Sequence, residues 1–190
     1  MTKNVIRKAA FDAAEPNNPD KYRKSDGNNR WSVSNIRQWL NSSGAANSWF
    51  TPKHEYDEAP TYASEPGFLA GFSSDVLEHF TEITNTTALS APDGGGSETT
   101  IDRVFLPSYT EMGLPTGEGS HLSIRYPDDN SRIKSGADSN YWTRTPGVKN
   151  NVSQLVYYIN NTGNRSAGLY YSPERDAASN YGIAPIIVLH

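Results

Sequence analysis

The stretch Asn28-Asn29-Arg30-Trp31-Ser32-Val33-Ser34-Asn35-Ile36-Arg37-Gln38-Trp39-Leu40-Asn41 decides how the rest of the chain is read. Val33, Ile36, Trp39 and Leu40 recur three to four residues apart, which places them on one face of a helix. Ser32 suits the N-cap, where a hydroxyl accepts from a backbone N–H of the first turn. Asn41-Ser42-Ser43-Gly44 supplies the stop. The spacing predicts the clearest helix of the chain over residues 31–41.

On the N-terminal side, residues 12–29 are rich in Asn, Pro and Asp and predict a long surface loop behind a short strand at Val5-Ile6. On the C-terminal side, residues 47–66 read as loop, with Trp49, Phe50, Tyr56 and Tyr62 as packing anchors. Ser73 caps a predicted second helix that turns Val76, Leu77 and Phe80 inward, with Asp75 and Glu78 near its positive end. Residues 83–88 and 101–106 predict strands on either side of the flexible break Ala91-Pro92-Asp93-Gly94-Gly95-Gly96-Ser97, the second stopped by Pro107. Tyr141-Trp142-Thr143-Arg144-Thr145-Pro146 predicts another strand. Residues 152–159 and 166–171 flank Asn160-Asn161-Thr162-Gly163-Asn164 as a hairpin. The closing Ile186-Ile187-Val188-Leu189 is the most apolar run and is expected to pair antiparallel with Val5-Ile6, joining the termini. Trp39, Phe68, Phe72, Phe105 and Ile186 are the expected core. With no internal repeat, the expectation is one α+β domain over residues 1–190.

Composition narrows the function classes. The chain has 190 residues, of which 35% are hydrophobic, yet its 4 Trp, 11 Tyr and 6 Phe can build a core. Without Cys there is no disulfide, thiolate zinc site or cysteine nucleophile. A net charge of −4 counts against a nucleic-acid partner. No run approaches the roughly 18 apolar residues of a membrane span, so no membrane insertion is expected. The start lacks the apolar stretch of a signal peptide, so export would depend on a longer parent chain or on lysis.

Catalytic signatures are weak. The histidines are His54, His79, His121 and His190; Ser120 adjoins His121, but no Gly-x-Ser-x-Gly elbow occurs. His79 has no second His four residues on. Asp128-Asp129-Asn130, and Asp93 with Glu98, offer oxygen ligands without the spacing of a calcium loop. Gly94-Gly95-Gly96 lacks the Lys of a phosphate loop. Glu111, after a strand and a Pro, is the one carboxylate singled out for an acid role, with helix-starting or loop-bracing as the alternative. The expectation is no enzyme, no cofactor and no metal. The sequons at Asn41, Asn85, Asn151 and Asn164 are expected to arise by chance.

Binding is the better reading of the last third. Tyr141, Trp142, Tyr157, Tyr158, Asn160, Asn161, Asn164, Tyr170, Tyr171, Asn180 and Tyr181 bring aromatic and amide groups into one region. Such groups stack on sugar C–H faces and bond hydroxyls, or give rigid protein contacts. Alternation along the strands turns about half of them outward.

The opening stretch, Pro66-Gly67-Phe68-Leu69, residues 93–99, Val104-Phe105-Leu106-Pro107-Ser108 with Glu111, Tyr141 to Pro146, and Tyr181-Gly182-Ile183-Ala184-Pro185 together resemble one family. It is an uncharacterised domain of bacterial surface proteins and of phage and prophage structural proteins, similar to the C-type-lectin-like fold. The resemblance implies two helices on a twisted, mostly antiparallel sheet with long loops, paired terminal strands and a ligand face in the last third. It implies a virion-surface or extracellular protein that binds a host-surface receptor, a glycan or a protein, without requiring calcium. It implies contacts with other virion proteins and a homo-oligomeric or multi-copy arrangement. A decoration or tail-assembly protein without receptor binding is the alternative. Ala184 departs from the pattern, which often has Arg before this Pro.

Overall fold

The computed structural model describes residues 1–113, 126, 129–135, 140–147, 152–163, 165–166 and 181–190. Strand β1 is Arg7–Ala9, just after the predicted Val5-Ile6. Within the region expected to be loop lies α1 (Lys21–Asp26), capped by Asp20, whose carboxylate accepts from the Tyr22 N–H at 2.8 Å. An Asp two residues before an uninterrupted polar stretch is an N-cap as well as a turn residue.

The decisive stretch breaks in two. Trp31–Val33 is one 3-10 turn and α2 is Asn35–Leu40, because Ser34 is extended (φ −62°, ψ 144°) and caps α2 in place of Ser32. Ser32 instead donates its hydroxyl to Glu98 at 2.7 Å. Helix α3 is only Ser74–Leu77; Val76, expected to face inward, is exposed. The chain continues through β2 (Ile83–Ala88), β3 (Ser97–Asp102), β4 (Val104–Phe105), α4 (Asp129–Arg132), β5 (Tyr141–Pro146), β6 (Val156–Ile159), β7 (Arg165–Ser166), β8 (Tyr181–Ile183) and β9 (Ile186–Ile187). The two helices expected are present in shortened form, α2 with six residues and α3 with four, and among the described residues no α-helix exceeds six. The architecture is mixed α+β, built on three sheets.

The largest sheet has the order β1-β8-β5-β6-β7; β5 and β8 run parallel and the other neighbours antiparallel. β2 pairs with β3 and β4 with β9. The two ends of the chain do meet, but with shifted partners: β1 pairs with β8, Arg7 opposite Ile183, while the apolar closing run pairs with Val104 and Phe105. The Thr2 and Ile6 N–H groups donate to Pro185 and Ile183 at 2.9 Å, extending the contact. The expected hairpin is present as β6 and β7, with Tyr158 opposite Ser166.

β5 is buried along its whole length and separates two apolar clusters. Trp142 faces the larger one, edge-on to Phe11 and Tyr181 at 6.0 and 4.6 Å, and Tyr141 faces the smaller, with Tyr109, Met112 and Ile159. The larger cluster extends through aromatic contacts from Trp49 to Tyr62, Trp39, Phe68, Phe72 and Phe80. Phe105 and Ile186 are in it as expected. The glycine of Pro66-Gly67 is sterically required, since a Cβ there would lie 2.3 Å from the Ser42 carbonyl oxygen.

Glu111 proves to be the bracing residue. Its carboxylate takes a two-pronged contact from Arg144 at 2.7 and 2.8 Å and accepts the Ser108 N–H at 2.7 Å, both side chains being fully buried. Arg144 also donates to the Leu106 carbonyl at 2.7 Å and to Thr87 Oγ1 at 3.2 Å. Removing one partner strands a buried charge. Glu111→Ala is therefore expected to lower stability by about 3–5 kcal/mol in urea denaturation, with Glu111→Leu/Arg144→Met recovering much of it.

Candidate functional site

The residues that give the sequence its family character are engaged inside the fold. Asp102 is buried and accepts from Trp31 Nε1 (3.2 Å), Arg37 Nε (2.6 Å), Asn85 Nδ2 (3.0 Å) and Thr100 Oγ1 (2.7 Å). Glu98 accepts from Arg30 Nε, the Ser32 N–H and the Ser32 hydroxyl at 2.7 to 2.9 Å. Asn41 Oδ1 accepts from the Arg103 and Val104 N–H groups, and its amide donates to the Arg37 and Val104 carbonyls. Asn85 is fully buried, so neither described sequon presents a free amide. Asp93 is held by Arg23 at 2.6 Å and by the Ser90 hydroxyl. The three glycines after it have φ of 92°, 67° and 73°, so backbone conformation explains them without any phosphate.

The expected aromatic and amide face divides. Tyr141, Trp142, Tyr157 and Tyr181 are buried: Tyr141 donates to the Arg132 carbonyl at 2.8 Å and Trp142 Nε1 to the Ala9 carbonyl at 2.9 Å. Those four serve the core: β5, β6 and β8 each have sheet neighbours on both edges, β5 and β8 are buried throughout, and Tyr157 of β6 packs into the smaller cluster. Tyr158 and Asn160 are half-buried, Tyr158 stacked on Tyr181 at 4.4 Å, and Asn161 is exposed. Asn140 Oδ1 receives the Asn161 N–H and Asn160 Oδ1 the Thr162 N–H, which fixes the turn and leaves the Asn161 side chain facing outward. Asn164, Tyr170, Tyr171 and Asn180 lie outside the described residues, as do Ser120, His121 and Asp128.

Two further features were not singled out in the sequence. Two buried carboxylates, Asp12 and Asp57, meet at Asn35, whose N–H donates to Asp12 and whose side-chain amide donates to Asp57, and a third, Glu15, lies near both. Burial pushes the Asp12 carboxyl well up despite the N–H groups of Asn28 and Asn35, and pushes Glu15 up to about 7. Glu15 Oε1 lies 3.3 Å from His54 Nε2, and burial lowers the His54 pKa against the pull of Asp57. Among the described residues no group of three or more His, Cys, Asp or Glu side chains is placed to hold a metal ion.

The second feature is an open apolar groove of about 390 Å³ formed by Phe72, Val76, Phe80, Ile187 and Leu189, with His79 and His190 beside them. Leu189 is 66% exposed within it. The helix pattern had assigned Val76 to the core, and α3 is too short to bury it.

The division of the aromatic face is measurable. Trp142→Ala should destabilise the fold by roughly 3–5 kcal/mol and Tyr141→Phe by about 1 kcal/mol, whereas Asn161→Ala should fall within about 0.5 kcal/mol of the parent in the same denaturation assay.

No curated protein and no solved structure matches the chain. One family model does, and it spans residues 2–190, reaching every sheet and both features described above. The chain belongs to that family, described as a domain of unknown function (DUF6273).

Proposed function

We propose that this is a non-catalytic recognition domain, carried on the outside of a phage-derived particle or bacterial cell, that binds a host-surface glycan or protein. The use made of its acids carries the reading. Asp12, Glu98, Asp102 and Glu111 each accept at least two hydrogen bonds from within the fold. Carboxylates so engaged hold loops in place, whereas glycoside hydrolysis needs two of them opposed across a groove. The exposed Asn161 presents its side-chain amide at the surface beside the half-buried Tyr158 and Asn160, the group types that recognise sugars and polar protein surfaces. The exterior setting and the C-type-lectin-like likeness rest on the resemblance of the motifs; the meeting of the two chain ends is consistent with that likeness.

The alternative, a decoration or tail-assembly protein, is favoured by the apolar groove, since a neighbouring subunit would cover Val76 and Leu189.

The test is binding of labelled protein, presented in many copies on beads, to intact candidate host cells with and without chelator. Saturable, chelator-resistant binding that is lost in Asn161→Arg/Thr162→Arg and kept in Val76→Glu/Leu189→Glu is the expected result. No binding by the parent, with self-association lost only in the groove variant, would replace receptor binding with assembly.

A further inference from the structure

The pair Glu15 and His54 joins two loops that are both rich in acids. Glu15 is fully buried in the loop before α1; its Oε2 accepts from Asn18, and its N–H donates to the Arg23 carbonyl at 3.1 Å. His54 is in the turn after Trp49, where Asp57 folds back to accept the Lys53 N–H at 2.8 Å and donates its own N–H to the His54 carbonyl. Glu15 Oε1 and His54 Nε2 face one another at 3.3 Å, both are buried, and neither has a hydrogen-bond partner among the described residues.

Around Glu15 stand Asp12 and Asp20 from its own segment, Arg23 from α1 and Asp57 from the opposite turn. Around His54 stand Asp57, Arg23, Asp93 and Arg30. Arg23 is already paired with Asp93 at 2.6 Å and Arg30 with Glu98 at 2.7 Å. Both arginines near the imidazole are thus engaged with other carboxylates, and Arg23 also faces Glu15.

We propose that Glu15 and His54 share one proton and so form a latch that fastens the turn of residues 51–59 to the N-terminal loop, released when that proton is lost. In the latched state the Glu15 carboxyl donates to the Nε2 lone pair, which gives both facing atoms a partner, and His54 keeps its proton on Nδ1. Loss of the shared proton leaves a buried carboxylate beside Asp12, Asp20 and Asp57. Gain of a second leaves an imidazolium near Arg23 and Arg30. Burial pushes Glu15 up to about 7 and His54 below its ordinary value, so in between the proton resides on Glu15.

The signs follow. A raised carboxyl stabilises the fold at low pH, and that contribution is lost as pH rises from the ordinary Glu value to about 7. A lowered imidazole stabilises it above the ordinary His value, and that contribution is lost as pH falls through the lowered one. Between the lowered imidazole value and the ordinary one the two slopes oppose each other, so the net change is a loss of the latch as pH rises to about 7.

Amide exchange of Lys53 and Asp57 in the full chain, corrected for intrinsic rates and followed from about pH 5 to 8, reads the latch directly. Protection should be held towards the acid end of that range and fall about tenfold as pH rises through about 7. Glu15→Gln should abolish that fall, and His54→Gln, which removes the imidazole that accepts the shared proton, should lower the acid-end protection, so the second variant keeps the test alive should the first fail to fold. Protection independent of pH in the parent, or the parental profile in His54→Gln, overturns the proposal.

Discussion

One carboxylate holds the arrangement that everything else uses. Asp102, at the end of β3, takes hydrogen bonds from the 3-10 turn through Trp31, from α2 through Arg37, from β2 through Asn85 and from its own strand through Thr100. A buried carboxylate is tolerable only when its lone pairs are met, and here four donors from four segments meet them. The consequence is geometric: a six-residue helix, too short to be stable alone, is fixed at one angle to the β2–β3 hairpin. Arg37 adds contacts to the Ser32 and Ile101 carbonyls, so both ends of the joint are closed.

Arg144 and Glu111 do for the centre of the sheet what Asp102 does for the helix. β5 is buried along its whole length, with Trp142 in the larger cluster and Tyr141 in the smaller, and its pairing with β6 is irregular between Trp142 and Pro146. A fully apolar strand could slip in register with little loss. An arginine that must find one carboxylate, one carbonyl and one hydroxyl cannot. Buried ion pairs add little net stability over apolar isosteres, so a role in fixing register is the better account of this one.

Local pattern explains what was legible. The three-to-four spacing in residues 31–41 located α2, and the turn residues between Ile159 and Arg165 located a hairpin. Where the reading failed, a long-range partner outweighed the local preference. Ser32 is a good cap by type, but Glu98 claims its hydroxyl from 66 residues away, and the cap passes to Ser34. The closing run was expected on β1 by its apolarity, but Val104 and Phe105 offered a fully buried partner, leaving β1 to β8. On the aromatic face, alternation could say that some tyrosines turn inward but not which, because β5 and β8 have no solvent face. The Glu15–His54 contact joins two loops 39 residues apart in the chain, with no periodicity or motif within either to bring them together.

These observations change what the low apolar content means. A chain with only 35% hydrophobic residues looks poor in core, yet Asp12, Asn29, Asn35, Asn41 and Glu111 are engaged within the fold as acceptors or donors for backbone groups. Each does locally what a strand ladder does elsewhere, satisfying backbone groups that a loop would otherwise turn to water. A fold stabilised in this way does not need its long loops to be apolar or periodic. Side chains pointing outward from those loops, such as Asn161, carry no share of that network, so they can change to suit a ligand while the backbone beneath them stays where Asn140 and Asn160 hold it.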